Sequence, residues 1–224
     1  MIYLPKSQPA PDCLAQEQRK ASGDYKCGCV LKRLKSDFKN KCYICGSTAP
    51  TSINVEHFIP HQGDLTLKFA WPNLFWSCGH CNNTKLAQYS PLLNCTEWAD
   101  AALLSQALRY ICKPFPHEKV QIETDSTDIS VVNTQQLLLA VFNGTTTLKN
   151  IEADNLREQL LHEIKDYQDW LIDYYKAHDD DEKRHCLRKI KSHLHAASAF
   201  TAFKRQIVKD NPRMFKDFGS YCND

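Results

Sequence analysis

The sequence predicts an α+β chain that is predominantly helical. It has a small cysteine-braced ββα module near the N-terminus and a long antiparallel helical hairpin near the C-terminus. Three observations predict this. Two Cys-x-x-Cys pairs, Cys42/Cys45 and Cys78/Cys81, frame one compact segment. Short apolar runs and turn residues such as INVEHFIP and Gly63-Asp64 fill that segment. Beyond it, apolar residues recur at three- and four-residue spacing over most of the chain. A length of 224 residues allows one sizeable core, or a small module on a larger helical part. The chain divides accordingly into 1–95 (arm, basic helix and cysteine-framed module) and 96–224, the mainly helical part.

Taken in order, the first dozen residues carry Pro5, Pro9 and Pro11 and read as an extended arm. Residues 14–41 read as largely helical. Their second half holds Lys32, Arg33, Lys35, Lys39 and Lys41, which form either a solvated helix face or a phosphate-contacting one. A short hairpin is expected inside the framed segment, followed by a helix that begins near Ser77 to Cys81. Residues 97–111 read as a helix through Trp98, Ala101, Leu104, Leu108 and Ile111, and 119–132 as a two-stranded ribbon around TDSTD. Two longer helices close the chain. One runs through Leu156, Leu160, Ile164, Tyr167, Leu171 and Tyr174; the other runs through Leu187, Ile190, Leu194, Ala197, Phe200, Phe203 and Ile207. The polar AHDDDEKR between them is a natural turn, and the two stripes serve packing or the docking of a partner.

Composition excludes several classes. Hydrophobic residues make up 42% and charged residues 24%, far from the composition of disorder. The 28 Lys and Arg against 26 Asp and Glu give no global electrostatic case for nucleic acid, so any such case rests on local clusters. The longest purely apolar run, LLLAVF, is too short to span a bilayer, and no secretory signal opens the chain. The expected location is cytoplasmic, with no membrane partner.

In that reducing setting the eleven cysteines read as metal ligation plus leftovers rather than a disulfide framework. Cys42, Cys45, Cys78 and Cys81 can supply four thiolates to a structural zinc ion, with coincidence or a redox pair as the alternative. A closed four-thiolate site has no open coordination position, so it braces rather than hydrolyses. Cys13, Cys27, Cys29, Cys95, Cys112, Cys186 and Cys222 read as small buried hydrophobes or incidental thiols, although Cys27-Gly-Cys29 could compete for metal.

Between the two knuckles stand Glu56-His57, Pro60, Trp71-x-Asn73-Leu74 and Cys78-x-x-Cys81-Asn82-x-x-Lys85. This order resembles the HNH endonucleases whose ββα-metal fold is braced by a CxxC…CxxC zinc site, over about residues 42–85. The resemblance implies a metal-dependent hydrolysis of phosphodiester bonds in DNA or tRNA. His57 would be the general base, Glu56 and Asn82 ligands of catalytic Mg²⁺ or Mn²⁺, Asn73 a support for the histidine loop, and Lys85 a phosphate contact. The residue types suit that chemistry, because an imidazole titrates near neutrality and hard cations prefer oxygen donors. His61 and His80 have no motif behind them, His80 being expected exposed in its knuckle. Trp71 and Trp76 are expected to brace a core that is thin without zinc.

The proline-containing arm, the basic helix running into DFKNKCYICG, VEHFIPH, WPNLFWSC and FTAFKR extend the resemblance, more weakly, along most of the chain. They are similar to the PtuB family, the HNH effectors of Septu and Septu-like retron anti-phage systems. That resemblance implies a PtuA-like ATPase partner and, in retron systems, a reverse transcriptase with its RNA–DNA product. The chain has no Gly-rich phosphate loop, so an ATPase would be a separate subunit. The alternative is a non-catalytic zinc module that binds nucleic acid or an ATPase partner.

Overall fold

The computed structural model describes residues 1–222. It is mainly helical, with two small antiparallel sheets. The arm is not free. Met1, Ile2 and Leu4 are buried, and Leu4 donates its amide to the Cys95 carbonyl. Residues 14–41 form two helices rather than one, α1 (Asp12–Gln18) and α2 (Gly28–Asp37), separated by a loop over 19–27.

Strands β1 (Ile53–His57) and β2 (Leu74–Cys78) pair antiparallel, with Ile53 opposite Cys78 and His57 opposite Leu74. The long connection between them carries α3 (Leu65–Phe69), capped by the Asp64 carboxylate, and a 3-10 turn, Trp71–Asn73. Helix α4 (Gly79–Lys85) follows β2 without a loop, as expected from the second knuckle. Gly79 permits that abrupt start, because a Cβ there would lie 2.5 Å from the Ser52 hydroxyl. Trp71 and Trp76 are both buried in the module.

Two expectations for the middle of the chain are corrected. The helix predicted over 97–111 stops at Gln106 as α5 (Trp98–Gln106), and Arg109–Ile111 forms β3. The ribbon predicted within 119–132 is not self-contained: β4 (Gln121–Glu123) pairs with β3. The TDSTD segment instead ends in Asp128, whose carboxylate caps α6 (Ile129–Asn143).

The hairpin is formed by α7 (Thr147–Lys176) and α8 (Asp180–Leu194), each capped at its start, by Thr146 and Asp179. The second predicted helix does not run on to Ile207. It breaks after Leu194, passes through Phe200 in the left-handed region (φ 49°), and resumes as α9 (Thr201–Asp210) and α10 (Pro212–Phe218). The break has a partner from far away in sequence. The buried Lys41 ammonium donates to the carbonyls of Ala196 (3.0 Å) and Ser198 (2.5 Å) and to Thr201 Oγ1. Phe200 N–H donates to the Gly46 carbonyl, so the first cysteine knuckle seats on this break.

Two apolar clusters result. The larger joins the arm, the cysteine module, β3, β4, α6, the first half of α7 and Phe200–Phe203. The smaller joins Tyr167, Leu171, Ile190, Leu194, Val208 and Phe218 at the far end of the hairpin. Among the described residues no helix is long and apolar enough to cross a membrane.

Candidate metal centre and the adjoining histidine

The knuckles converge because β1–β2 pairing brings Cys78 beside the turn that holds Cys42 and Cys45. The four sulfurs are buried and lie within 4.8 Å of one another, with Cys45 and Cys78 4.0 Å apart. Tetrahedral thiolates at a zinc–sulfur distance of about 2.3 Å stand about 3.8 Å apart, so the set fits that ion. Backbone amides point at the sulfurs: Ser47 N–H to Cys45 and Cys81 N–H to Cys78, each at 3.5 Å. This is the arrangement expected where sulfur carries negative charge. The buried four-cysteine cluster could therefore hold zinc.

His57 ends β1. Its Nε2 lies 3.0 Å from the Lys68 carbonyl. A carbonyl only accepts, so Nε2 carries the ring proton and Nδ1 keeps its lone pair. The Tyr25 ring meets the imidazole edge-on at 4.5 Å, and the His61 ring does so at 4.6 Å. Burial lowers the His57 pKa below its ordinary value. The bond to Lys68 opposes that shift, and the positive fields of His61, Lys68 and Lys26 add to it.

Asn73 is buried and holds the loop that presents the Lys68 carbonyl. Its Oδ1 accepts from Ile59 N–H at 2.7 Å, and its Nδ2 donates to the carbonyls of Ile59 (2.9 Å) and Leu67 (3.1 Å). All of the amide's conventional capacity except one lone pair is used, so the side chain is a fixed strut between the two ends of the loop.

Glu56 and Lys85 are placed differently from expectation. Alternation along β1 turns Glu56 to the face opposite His57, toward α4 and Tyr43. There its Oε1 pairs with Lys85 Nζ at 2.6 Å, and both side chains are nearly inaccessible, at 7% and 2% exposure. Lys85 also donates to the carbonyls of His57 (3.3 Å) and Phe58 (3.1 Å). Lys85 is thus a buried brace for the end of β1 and not an exposed phosphate contact. Glu56 is likewise closed off from solvent, so it does not fit an open Mg²⁺ site. Its second oxygen is buried on the side of the Tyr43 hydroxyl, and burial raises its pKa against the opposing pull of Lys85 and Tyr43. Asn82, half-buried on α4, makes no side-chain hydrogen bond among the described residues and is the motif's uncommitted oxygen donor.

Two histidines were not assigned roles from sequence. His61 packs edge-on against His57, and its Nδ1 accepts from Gly63 N–H at 3.1 Å; its position four residues after His57 was the only available signal. His80 is not an exposed knuckle residue. Its ring spans Glu152 (2.8 Å) and the Val141 carbonyl (2.8 Å), tying the start of α4 to α6 and α7.

Of the basic run, Lys41 is buried and Arg33 donates to Ser7 Oγ and the Pro9 carbonyl. Lys32, Lys35 and Lys39 remain exposed. Neither a scan against family models nor a search of curated proteins returns a match for this chain.

Proposed function

We propose that residues 42–85 form the catalytic centre of an HNH-type endonuclease that hydrolyses phosphodiester bonds in DNA or tRNA. The observation that carries this is the setting of His57. Its Nε2 is anchored on a loop carbonyl, that loop is pinned at both ends by Asn73, and Nδ1 is left as the acceptor. A neutral imidazole so oriented takes a proton from an attacking water, and the lowered pKa keeps it neutral at pH 7. The four-cysteine cluster fixes where α4 starts, and α4 carries Asn82. A Mg²⁺ or Mn²⁺ ion would supply charge relief at the phosphate, with Asn82 as its protein oxygen. The exposed Lys32, Lys35 and Lys39 on and after α2 suit a nucleic-acid backbone.

The anti-phage role, the PtuA-like ATPase and the retron components follow from the resemblance. The helical half is the natural docking surface for such a partner. A second reading, a non-catalytic zinc module that binds nucleic acid or an ATPase, is favoured by one observation: Glu56 and Lys85 are shut inside the module.

Cleavage of plasmid DNA and of tRNA with Mg²⁺ or Mn²⁺ tests the proposal. The wild-type protein should cut at least one of them, and His57→Ala should lose at least about 100-fold, the scale of a lost general base. Its zinc content should be unchanged. Equal cutting by the variant overturns the assignment of His57. Binding without cutting by the wild type in its native assembly supports the second reading.

A further inference from the structure

Three cysteines outside the buried quartet also converge. Cys13 stands in the first turn of α1, Cys27 caps α2, and Cys29 is the second residue of α2. Their sulfurs all lie within 4.8 Å of one another. Cys13 is bonded to Cys29 as a disulfide, and the Cys27 sulfur sits 2.6 Å from that of Cys13. A disulfide uses two sulfurs and leaves the third crowded against them, whereas a single thiophilic cation satisfies all three at once.

We propose that this trio is a second zinc site, with three thiolate ligands and a fourth position open to solvent on the side of the exposed Cys29. The disulfide and the metal site are alternative states of one cluster. A thiol reductant delivers two electrons and two protons to the Cys13–Cys29 bond, giving two thiols. Together with Cys27 these release three protons as zinc binds. A reducing cytosol would hold the cluster in its thiol form.

The site ties α1 to α2 across the turn that carries Tyr25, and Tyr25 packs on the His57 ring. The metal assignment itself does not depend on the nuclease reading, because it is read from metal content alone.

The test is zinc per chain, measured on full-length protein purified with reductant and dialysed into metal-free buffer. Two equivalents are expected in the wild type. One is expected in Cys27→Ser, which removes a ligand while leaving Cys13 and Cys29 in place, with the circular dichroism spectrum retained. Cobalt substitution should give thiolate charge-transfer absorption that grows through two equivalents in the wild type and stops at one in the variant. A wild-type content of one with Cys13, Cys27 and Cys29 free as thiols overturns the proposal, and so does a Cys13–Cys29 bond that survives the reductant. So does a Cys27→Ser protein that keeps two.

Discussion

The cysteine-framed module and the α7–α8 hairpin are built in opposite ways. The module has two strands of five residues and a seven-residue helix. Its interior is held by a sulfur quartet, a buried ion pair and the Asn73 strut. The hairpin has helices of 30 and 15 residues closed by a stripe of Leu, Ile and Tyr. One depends on special chemistry at a few positions, and the other on apolar area spread over many. The oriented imidazole of His57 stands in the first kind, because converging polar groups are what hold it.

The largest way to break the module is to remove one of the four cysteines that could hold zinc. Cys42→Ser should lose one zinc equivalent and most of the module's folding free energy, since structural zinc contributes on the order of 10 kcal/mol or more. Zinc analysis together with near-ultraviolet circular dichroism checks this. Next comes the ion pair. Lys85→Met leaves the Glu56 carboxylate buried and unpaired, and denaturant unfolding should show a loss of about 3–5 kcal/mol. Pairing it with Glu56→Leu should recover much of that loss, because an apolar pair of similar volume avoids the desolvation cost.

On the hairpin side, Ile190→Ala opens a cavity and should cost about 2–5 kcal/mol, with zinc content unchanged. The smallest effect is pH-dependent. His193 faces Lys204, Glu163, Asp166 and the Tyr167 ring, and burial followed by Lys204 lowers its pKa against the two carboxylates. The unfolded chain then binds more protons than the folded one as pH falls through about 6.5, so stability declines in that window. His193→Gln should flatten that slope in melting curves recorded between pH 5 and pH 8, a range that brackets the ordinary imidazole value of about 6.5.

The two regions also differed in how far the sequence disclosed them. Cys-x-x-Cys spacing and the three- and four-residue stripes are local signals, and both the sulfur quartet and the hairpin pairing stood where they were expected. The features that were missed depend on distant partners. The stripe from Leu187 to Ile207 keeps its period across the break, because the group that satisfies the break is Lys41, more than 150 residues away. His80 gained its role from Val141 and Glu152. Strand β3 was read as the end of a helix because Leu108 and Ile111 fit both patterns until β4 pairs with it. Glu56 and Lys85 read, from their order in the motif, as a metal ligand and a phosphate contact. That they face each other inside the module follows from strand alternation and from the Tyr43 and Phe75 core, which no local spacing records.

The most direct test of this contrast is hydrogen exchange resolved along the chain, before and after chelation of zinc. The account predicts that protection is lost over 53–57 and 74–85 while the amides of 164–174 and 187–194, packed in the second apolar cluster, stay protected. Loss of protection in both regions together, or in neither, would contradict it.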